Sequence, residues 1–133
     1  MSVFLCGPLR LQQVMRLVYD GVLVRTLAVL PGYRCVRVRA RPYHGLIAAP
    51  SGSVNGIVCE YLDKEVIEQI ALLKGAMYEP RTLTVNMVDG RKIGATVFVT
   101  KKEYFSCLMF ETWDIKDFIE NNLEEYCKNH VPF

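Results

Sequence analysis

Lys74, in the stretch LLKGAMYEPR (72–81), is the side chain with the largest chemical consequence. Gly75 follows it and is a natural helix stop, because glycine reaches left-handed backbone angles at no steric cost. Lys74 is therefore predicted to be the last side chain of a helix. It would sit where helix, turn and strand meet, at the floor or lip of any pocket built there. With an ordinary pKa near ~10.4 it is a cation at pH 7 and suits an anion. It would serve as a base only if burial lowered that value by several units. The second chemical feature is FLCGPL, residues 4–9. A strand, a tight Gly turn and a helix N-terminus can aim backbone N–H groups at an anion. Pro8 removes one of those donors.

Other catalytic kits are missing. The cysteines, Cys6, Cys35, Cys59, Cys107 and Cys127, are odd in number and form no C-x-x-C. With His44 and His130 far apart in sequence, no zinc-ligand spacing appears, so no metal site is expected. Cys35 and Cys59 lie in apolar strand-like runs and read as free buried thiols of a reducing compartment. Neither a P-loop nor a G-x-S-x-G elbow is present. A Cys–His nucleophile pair would need a histidine beside a thiol, which sequence alone does not place. His44, in a Pro/Gly-rich stretch, reads as a surface histidine rather than a proton shuttle. No cofactor is implied.

These residues must be held by a mixed set of elements. Ser2 to Cys6 reads as a short buried strand. Leu11, Val14, Met15 and Val18 recur at helical spacing, which predicts a helix over about residues 9–19, ended by Gly21. Val22 to Leu30 and Tyr33 to Arg41 read as two strands separated by Pro31-Gly32. In the second, Val36, Val38 and Ala40 face one way and Arg37, Arg39 and Arg41 the other. Residues 42–53 read mostly as loop, with a possible short strand at Leu46–Ala49. Val54 to Leu62 is a strand with Ile57, Cys59 and Tyr61 on one side. Asp63 is a candidate N-cap for a helix whose stripe is Val66, Ile67, Ile70 and Leu73.

Tyr78–Val88 and Arg91–Val99 flank Asp89-Gly90, a strong hairpin signal. Leu83, Val85 and Met87 share one face with Ile93, Ala95, Val97 and Val99 of the partner strand. A C-terminal helix carries Ile115, Phe118, Ile119, Leu123 and Tyr126, with Thr112 as its N-cap. Its acidic outer face would let it serve either as a docked helix or as a partner-binding one. Without repeats, low-complexity segments or a linker, residues 1–133 read as a single domain.

The 133 residues are 51% hydrophobic and 23% charged, with a net charge of +2. That balance fits a globule with a real core and makes nucleic acid an unlikely partner. The first 66 residues hold eight Lys/Arg against four acids, so the basic charge is concentrated there. The arginine row on residues 34–41 could hold phosphates, but it lacks interleaved aromatics and reads better as a solvated face. The N-terminal apolar stretch is too short, and lacks a basic leader, for a signal peptide. No run reaches the ~18 apolar residues of a membrane span. A cytoplasmic protein with no membrane association is expected.

Three segments together resemble the gamma-glutamylcyclotransferase-like family, particularly its avirulence-induced plant group. FLCGPL (4–9) is similar to that family's F-x-Y-G-[ST]-L loop. LPGY (30–33) is followed by RPYHGLIAAP (41–50). The run from VNGIVCEYLD to the hairpin end at Val99 resembles a stretch containing LD, F-E-G-x-x-Y-x-R and V-x-V. A Trp-x-x-x-x-Phe tail, Trp113 and Phe118, is similar to the plant group. The resemblance implies an α+β fold, a small mixed β-barrel with flanking helices and a C-terminal helix.

It also implies cyclisation of a γ-glutamyl amine to 5-oxoproline. In that chemistry a loop after the first strand holds the γ-glutamyl end. A Glu at the helix end takes a proton from the substrate amine and returns it to the leaving amine. The matching loop positions are Cys6, Gly7, Pro8 and Leu9, with Tyr78 beside the pocket. The position of the Glu is Lys74. Cys6 also stands where Tyr is usual, and Pro8 where Ser or Thr is usual. Glu79 is no replacement, since adjacent strand residues face opposite ways. Three expectations follow from this swap. The reaction is lost and a small-anion pocket remains; or an altered transferase acts on another γ-glutamyl amide with Lys74 or a displaced acid as base; or the chain is an interaction module using residues 34–41 or the C-terminal helix.

Overall fold

A computed structural model describes residues 1–129; His130 lies outside the described residues. β1 (Val3–Leu5) is followed by a 3-10 turn at Pro8–Arg10 and a one-turn helix α1 (Gln12–Met15). Then come β2 (Arg25–Val38), β3 (His44–Cys59), α2 (Lys64–Lys74), β4 (Tyr78–Met87) and β5 (Lys92–Thr100). A second 3-10 segment, Lys102–Cys107, leads to β6 (Leu108–Thr112), α3 (Ile115–Asn121) and α4 (Leu123–Asn129).

The strands run in the order β3-β1-β5-β4-β2-β6, and β2 also pairs with β3. That last pairing closes five strands into a barrel and leaves β6 as an outer addition to β2. β1 lies parallel to β5 and antiparallel to β3, so the barrel is mixed. The fold is thus the α+β barrel with flanking helices that the resemblance implied. No helix among the described residues is long and apolar enough to cross a membrane.

Two apolar clusters follow from strand alternation. Phe4, Ala28, Leu30, Val54, Val58, Val85, Met87, Ala95, Val97 and Val99 fill the barrel, and Cys6 joins them. Val3, Leu5, Ile57 and Cys59 point the other way, towards Val66 and Ile70 of α2 and Phe118 and Tyr126 of the last two helices. One short strand therefore serves both cores. The hairpin forms as expected: Tyr78 pairs with Thr100 through to Asn86 with Lys92, and Gly90 takes φ 94° in the turn. Arg91 backs it with a two-pronged ion pair to Glu60, at 2.7 and 3.0 Å.

Several local expectations are corrected. The helix over 9–19 shrinks to the 3-10 turn plus α1, because Pro8 and the turns around it spend the available residues. The two strands 22–30 and 33–41 are one strand, β2. Pro31-Gly32 does not end it; it is absorbed as an irregularity, with Pro31 opposite Ser53 and Tyr33 opposite Ala48. Between those two pairs β3 advances five residues while β2 advances two. The extra residues of β3 lie between Ala48 and Ser53, and the rest of the segment 42–53 that read as loop is strand from His44 on. Pro and Gly are tolerated there because the mismatch relieves the hydrogen-bond ladder.

Ala40 is exposed, at φ 59° in the β2–β3 turn, and does not share the inner face of Val36 and Val38. Tyr61, also at positive φ, is 82% exposed and leaves the face of Ile57 and Cys59. The side chain of Asp63 makes no cap hydrogen bond; its carbonyl accepts from Val66 N–H instead. Asp114, not Thr112, caps α3 through Lys116 N–H at 3.0 Å. The C-terminal helix is two helices broken at Asn122, and Phe118 and Tyr126 bury their rings while Ile119 stays exposed. Docking on the barrel therefore uses up most of the stripe.

Ile70 is fully buried on α2 and ties that helix to the outer core. Ile70→Ala should lower unfolding free energy by about 2–5 kcal/mol. Urea denaturation followed by circular dichroism checks this, and a loss under about 1 kcal/mol would mean α2 is not held by this contact.

Candidate functional site

β1 ends at Leu5, and alternation turns Cys6 inward. The next residue must be small: a Cβ on Gly7 would come within 1.9 Å of His44 Nδ1. His44 is the first residue of β3, opposite Arg37 of β2, and is 2% exposed. The expected surface histidine is thus a buried one, because β3 begins at His44, ten residues before the strand expected from Val54. Its Nε2 lies 3.5 Å from Cys6 Sγ. Its backbone carbonyl accepts from Tyr78 Oη at 2.5 Å, and its ring centroid is 5.8 Å from that of Trp113 and 6.0 Å from that of Tyr78. Trp113 is itself held by Nε1–H donating to Pro42 O at 2.9 Å.

Cys35, on β2, completes the group. The Cys6 and Cys35 sulfurs and a ring nitrogen of His44 all lie within 4.8 Å of one another. Both cysteines are free thiols. The Cys35 thiol donates to Cys6 and, with His44 and Lys74 nearby, holds the Cys6 thiol well below its usual range despite burial. Cys35, as the donor, is pushed far up. Burial lowers His44, which leaves it an uncharged imidazole at pH 7. Its Nδ1 has no hydrogen-bond partner among the described residues.

Lys74 ends α2 as expected, with Gly75 at φ 88° donating its N–H to Ala71 O at 3.0 Å. The residue as a whole is only partly exposed. Its Nζ stands 4.5 Å from the Tyr78 ring centroid and 5.9 Å from that of Phe98. Aromatic faces stabilise a cation less than water does when no carboxylate is present. Burial accordingly pulls the ammonium down to about 8, with Cys6 and Cys35 opposing the shift. Burial also raises Tyr78 well above its usual value, so its hydroxyl stays a donor.

Two spaces adjoin this group. A cleft of about 10 Å³ is lined by Pro8, Leu9, Tyr43, His44, Lys74, Tyr78 and Tyr126. It contains the predicted residues Pro8, Leu9, Lys74 and Tyr78 and holds about one water at most. On another side of Cys6 opens a cavity of about 550 Å³, lined by Cys6, Arg10, Arg34, Cys35, Ser53, Asn55 and the 112–115 segment among others. Cys6 borders this cavity and Lys74 does not. The turn at Cys6–Leu9 makes no helix-terminus anion site. Its carbonyls Gly7 O and Pro8 O accept from Arg10 and Leu11 in a 3-10 turn too short to build a dipole. Glu79 points away and pairs with Arg81 at 2.7 Å.

Sequence reasoning named Cys6, Gly7, Pro8, Leu9, Lys74 and Tyr78; Pro8, Leu9, Lys74 and Tyr78 line one cleft, Cys6 borders the other cavity, and Gly7 lies against His44. It missed Cys35, His44, Arg10 and Arg34. Two-residue alternation along β2 gives Arg34 the parity of Val36 and Val38 rather than that of Arg37 and Arg39, a legible sign that it stands apart from the basic row. Arg34 donates to the Phe110 carbonyl, and Arg37 pairs with Asp117 at 3.5 Å. The row is partly engaged by β6 and α3.

A family model described as gamma-glutamyl cyclotransferase, AIG2-like, matches residues 3–115. The chain belongs to that family. AIG2-like protein D of Arabidopsis thaliana is 25% identical over 134 residues, covering 99% of this chain and 88% of that protein. Protein AIG2 C of the same plant is 25% identical over 128 residues, covering 94% and 76%. Among solved structures, one solution structure of an Arabidopsis thaliana protein aligns with TM-score 0.74 at 23% identity, over 96% of this chain and 77% of that one. A structure described as a gamma-glutamyl cyclotransferase aligns with TM-score 0.67 at 16% identity, over 100% and 89%. These likenesses establish the shared barrel.

The lowered Lys74 has a thermodynamic signature. Unfolded, Lys74 keeps its proton to near ~10.4, while folded it releases it near 8. Between those values the unfolded chain binds more protons, so stability rises with pH. Relative to Lys74→Met, the wild type should gain on the order of 1–3 kcal/mol between pH 7.5 and 10.5. Paired urea titrations across that range check it; a flat difference curve would mean the ammonium is not buried in the folded chain.

Proposed function

We propose that this chain is a member of the family without its carboxylate-driven cyclisation, and that it holds a small anionic ligand in the cavity beside Cys6. The observation that carries the first half is Lys74. The resemblance puts it at the position of the proton-accepting Glu, and the cleft around it has no carboxylate among its lining residues. With a pKa of about 8, most of Lys74 is protonated at pH 7 and repels a substrate ammonium instead of taking its proton. The cleft is also filled by Tyr43, Tyr78 and Tyr126, which leaves no room for a γ-glutamyl group.

The second half rests on the larger cavity. Arg10 and Arg34 line it, against one carboxylate, Asp114, whose oxygen already caps α3. Ser53, Asn55 and Thr112 add neutral donors and acceptors. A guanidinium pair with such neighbours suits a small carboxylate or phosphate.

The altered-transferase reading keeps one point in its favour. A lysine with a pKa of about 8 is a usable base above that pH. It predicts a rate that climbs through pH 8 and vanishes in Lys74→Met. The interaction-module reading has less support, since Arg37 is paired with Asp117 and the last helices are docked.

Incubation with γ-glutamyl amino acids and γ-glutamyl amines, at pH 7 and pH 9, should give no 5-oxoproline above a heat-killed control. Titration calorimetry with glutarate and with inorganic phosphate should show binding of at least one. Arg34→Ala should weaken it by about tenfold or more, the loss of one charge-assisted hydrogen bond. Turnover by the wild type would overturn the first half, and no binding of either anion the second.

A further inference from the structure

We infer that Cys6 and Cys35 form a hydroperoxide-reactive dithiol site at the barrel mouth, with Cys6 the attacking sulfur and Cys35 the resolving one. This goes beyond the ligand reading and does not depend on it. The two sulfurs and a His44 ring nitrogen lie within 4.8 Å of each other, and both cysteines border the 550 Å³ cavity, which gives a small oxidant a way in. They are held in place from all sides. Cys6 directly follows strand β1 and precedes Gly7, which packs on the His44 ring. Cys35 lies on β2 opposite Leu46, and its carbonyl accepts Trp113 N–H at 3.2 Å.

The surroundings sort these two thiols from the others. Cys59 is fully buried among apolar side chains, and burial pushes its thiol up, as expected of an inert core cysteine. Cys6 borders the cavity and faces a thiol donor, an imidazole at 3.5 Å and the Lys74 ammonium, all of which favour the ionised sulfur. A low-lying thiolate with a second thiol in reach is the arrangement that turns over peroxide reversibly.

The same three side chains also meet the spacing of a metal site. Two features favour the dithiol. A metal-bound imidazole needs its other N–H fixed by an acceptor, and His44 Nδ1 has none among the described residues. Lys74 already supplies positive charge beside both sulfurs.

The chemistry balances as follows. The Cys6 thiolate attacks one oxygen of a hydroperoxide ROOH. The O–O bond breaks, and RO⁻ leaves and takes a proton from water. Cys6 becomes a sulfenic acid. Cys35 then attacks the Cys6 sulfur, the S–O bond breaks, and hydroxide departs with the Cys35 proton as water. The disulfide carries the two electrons' worth of oxidation, and a low-molecular-weight thiol can restore it by exchange.

The test uses the reduced full chain and hydrogen peroxide at one to a few equivalents. Intact mass should fall by about 2 Da, and digestion should yield a Cys6–Cys35 cross-linked peptide. In Cys35→Ser, dimedone should label Cys6. In the wild type, iodoacetamide at pH 6 should alkylate Cys6 about tenfold or more faster than Cys59. The inference is overturned if Cys6 and Cys35 stay reduced at peroxide levels that oxidise free cysteine, with the fold confirmed by circular dichroism. It is equally overturned if the purified chain carries stoichiometric zinc that Cys6→Ser or His44→Ala releases. The Cys35→Ser dimedone readout and the wild-type alkylation rates stand even if Cys6→Ser fails to fold.

Discussion

The pairing of β2 with β3 is the constraint on which the rest of the molecule depends. Without it the five strands would make an open sheet with two long edges. With it the sheet closes, and its inner side chains, from Phe4 to Val99, pack only on each other. The pairing is long, from Arg25 opposite Cys59 to Arg37 opposite His44, and it cannot stay in one register while the barrel curves. The mismatch at Pro31–Gly32 takes up the difference. Beyond it the strands pair again, from Tyr33 opposite Ala48 to Arg37 opposite His44, and that stretch carries Cys35 and His44 to within reach of Cys6. The reactive cluster is thus a by-product of closing the barrel.

Charge at the site is balanced without a carboxylate. Lys74 comes in on the end of a helix, stacks over Tyr78, and finds thiols rather than acids near it. Each group adjusts to the other: the ammonium drops towards neutrality and the Cys6 thiol towards ionisation. Cys35 serves as the hydrogen-bond donor that makes a buried thiolate tolerable. The open space lies on the side of Cys6 bordered by Arg10 and Arg34, away from Lys74.

Membership of the gamma-glutamyl cyclotransferase, AIG2-like family and the barrel shared with the plant structures place this chain on a scaffold that can carry more than one chemistry. Conservation of the barrel needs only the alternating apolar faces. Cys6, Cys35 and His44 sit at one end of that barrel, with the His44 ring buried against Trp113 and Tyr78.

Much of this was legible in the linear chain. The Asp89-Gly90 hairpin, the Gly75 stop that puts Lys74 at a helix end, and the stripe from Val66 to Leu73 are all local. Each depends on the conformational freedom or spacing of residues a few positions apart. The resemblance in FLCGPL and in the run through Lys74-Gly75 carried the barrel as well. What tertiary structure alone decided was the partnership of Cys6, Cys35 and His44, the burial of His44, and the reach of Arg34 into the cavity. Those residues are separated by up to 38 positions, and their meeting depends on strand pairing across the barrel and on a register slip at Pro31–Gly32. Sequence periodicity records which face a residue takes. Which residue faces it from another strand is set by closing the barrel, an event in which the whole chain takes part.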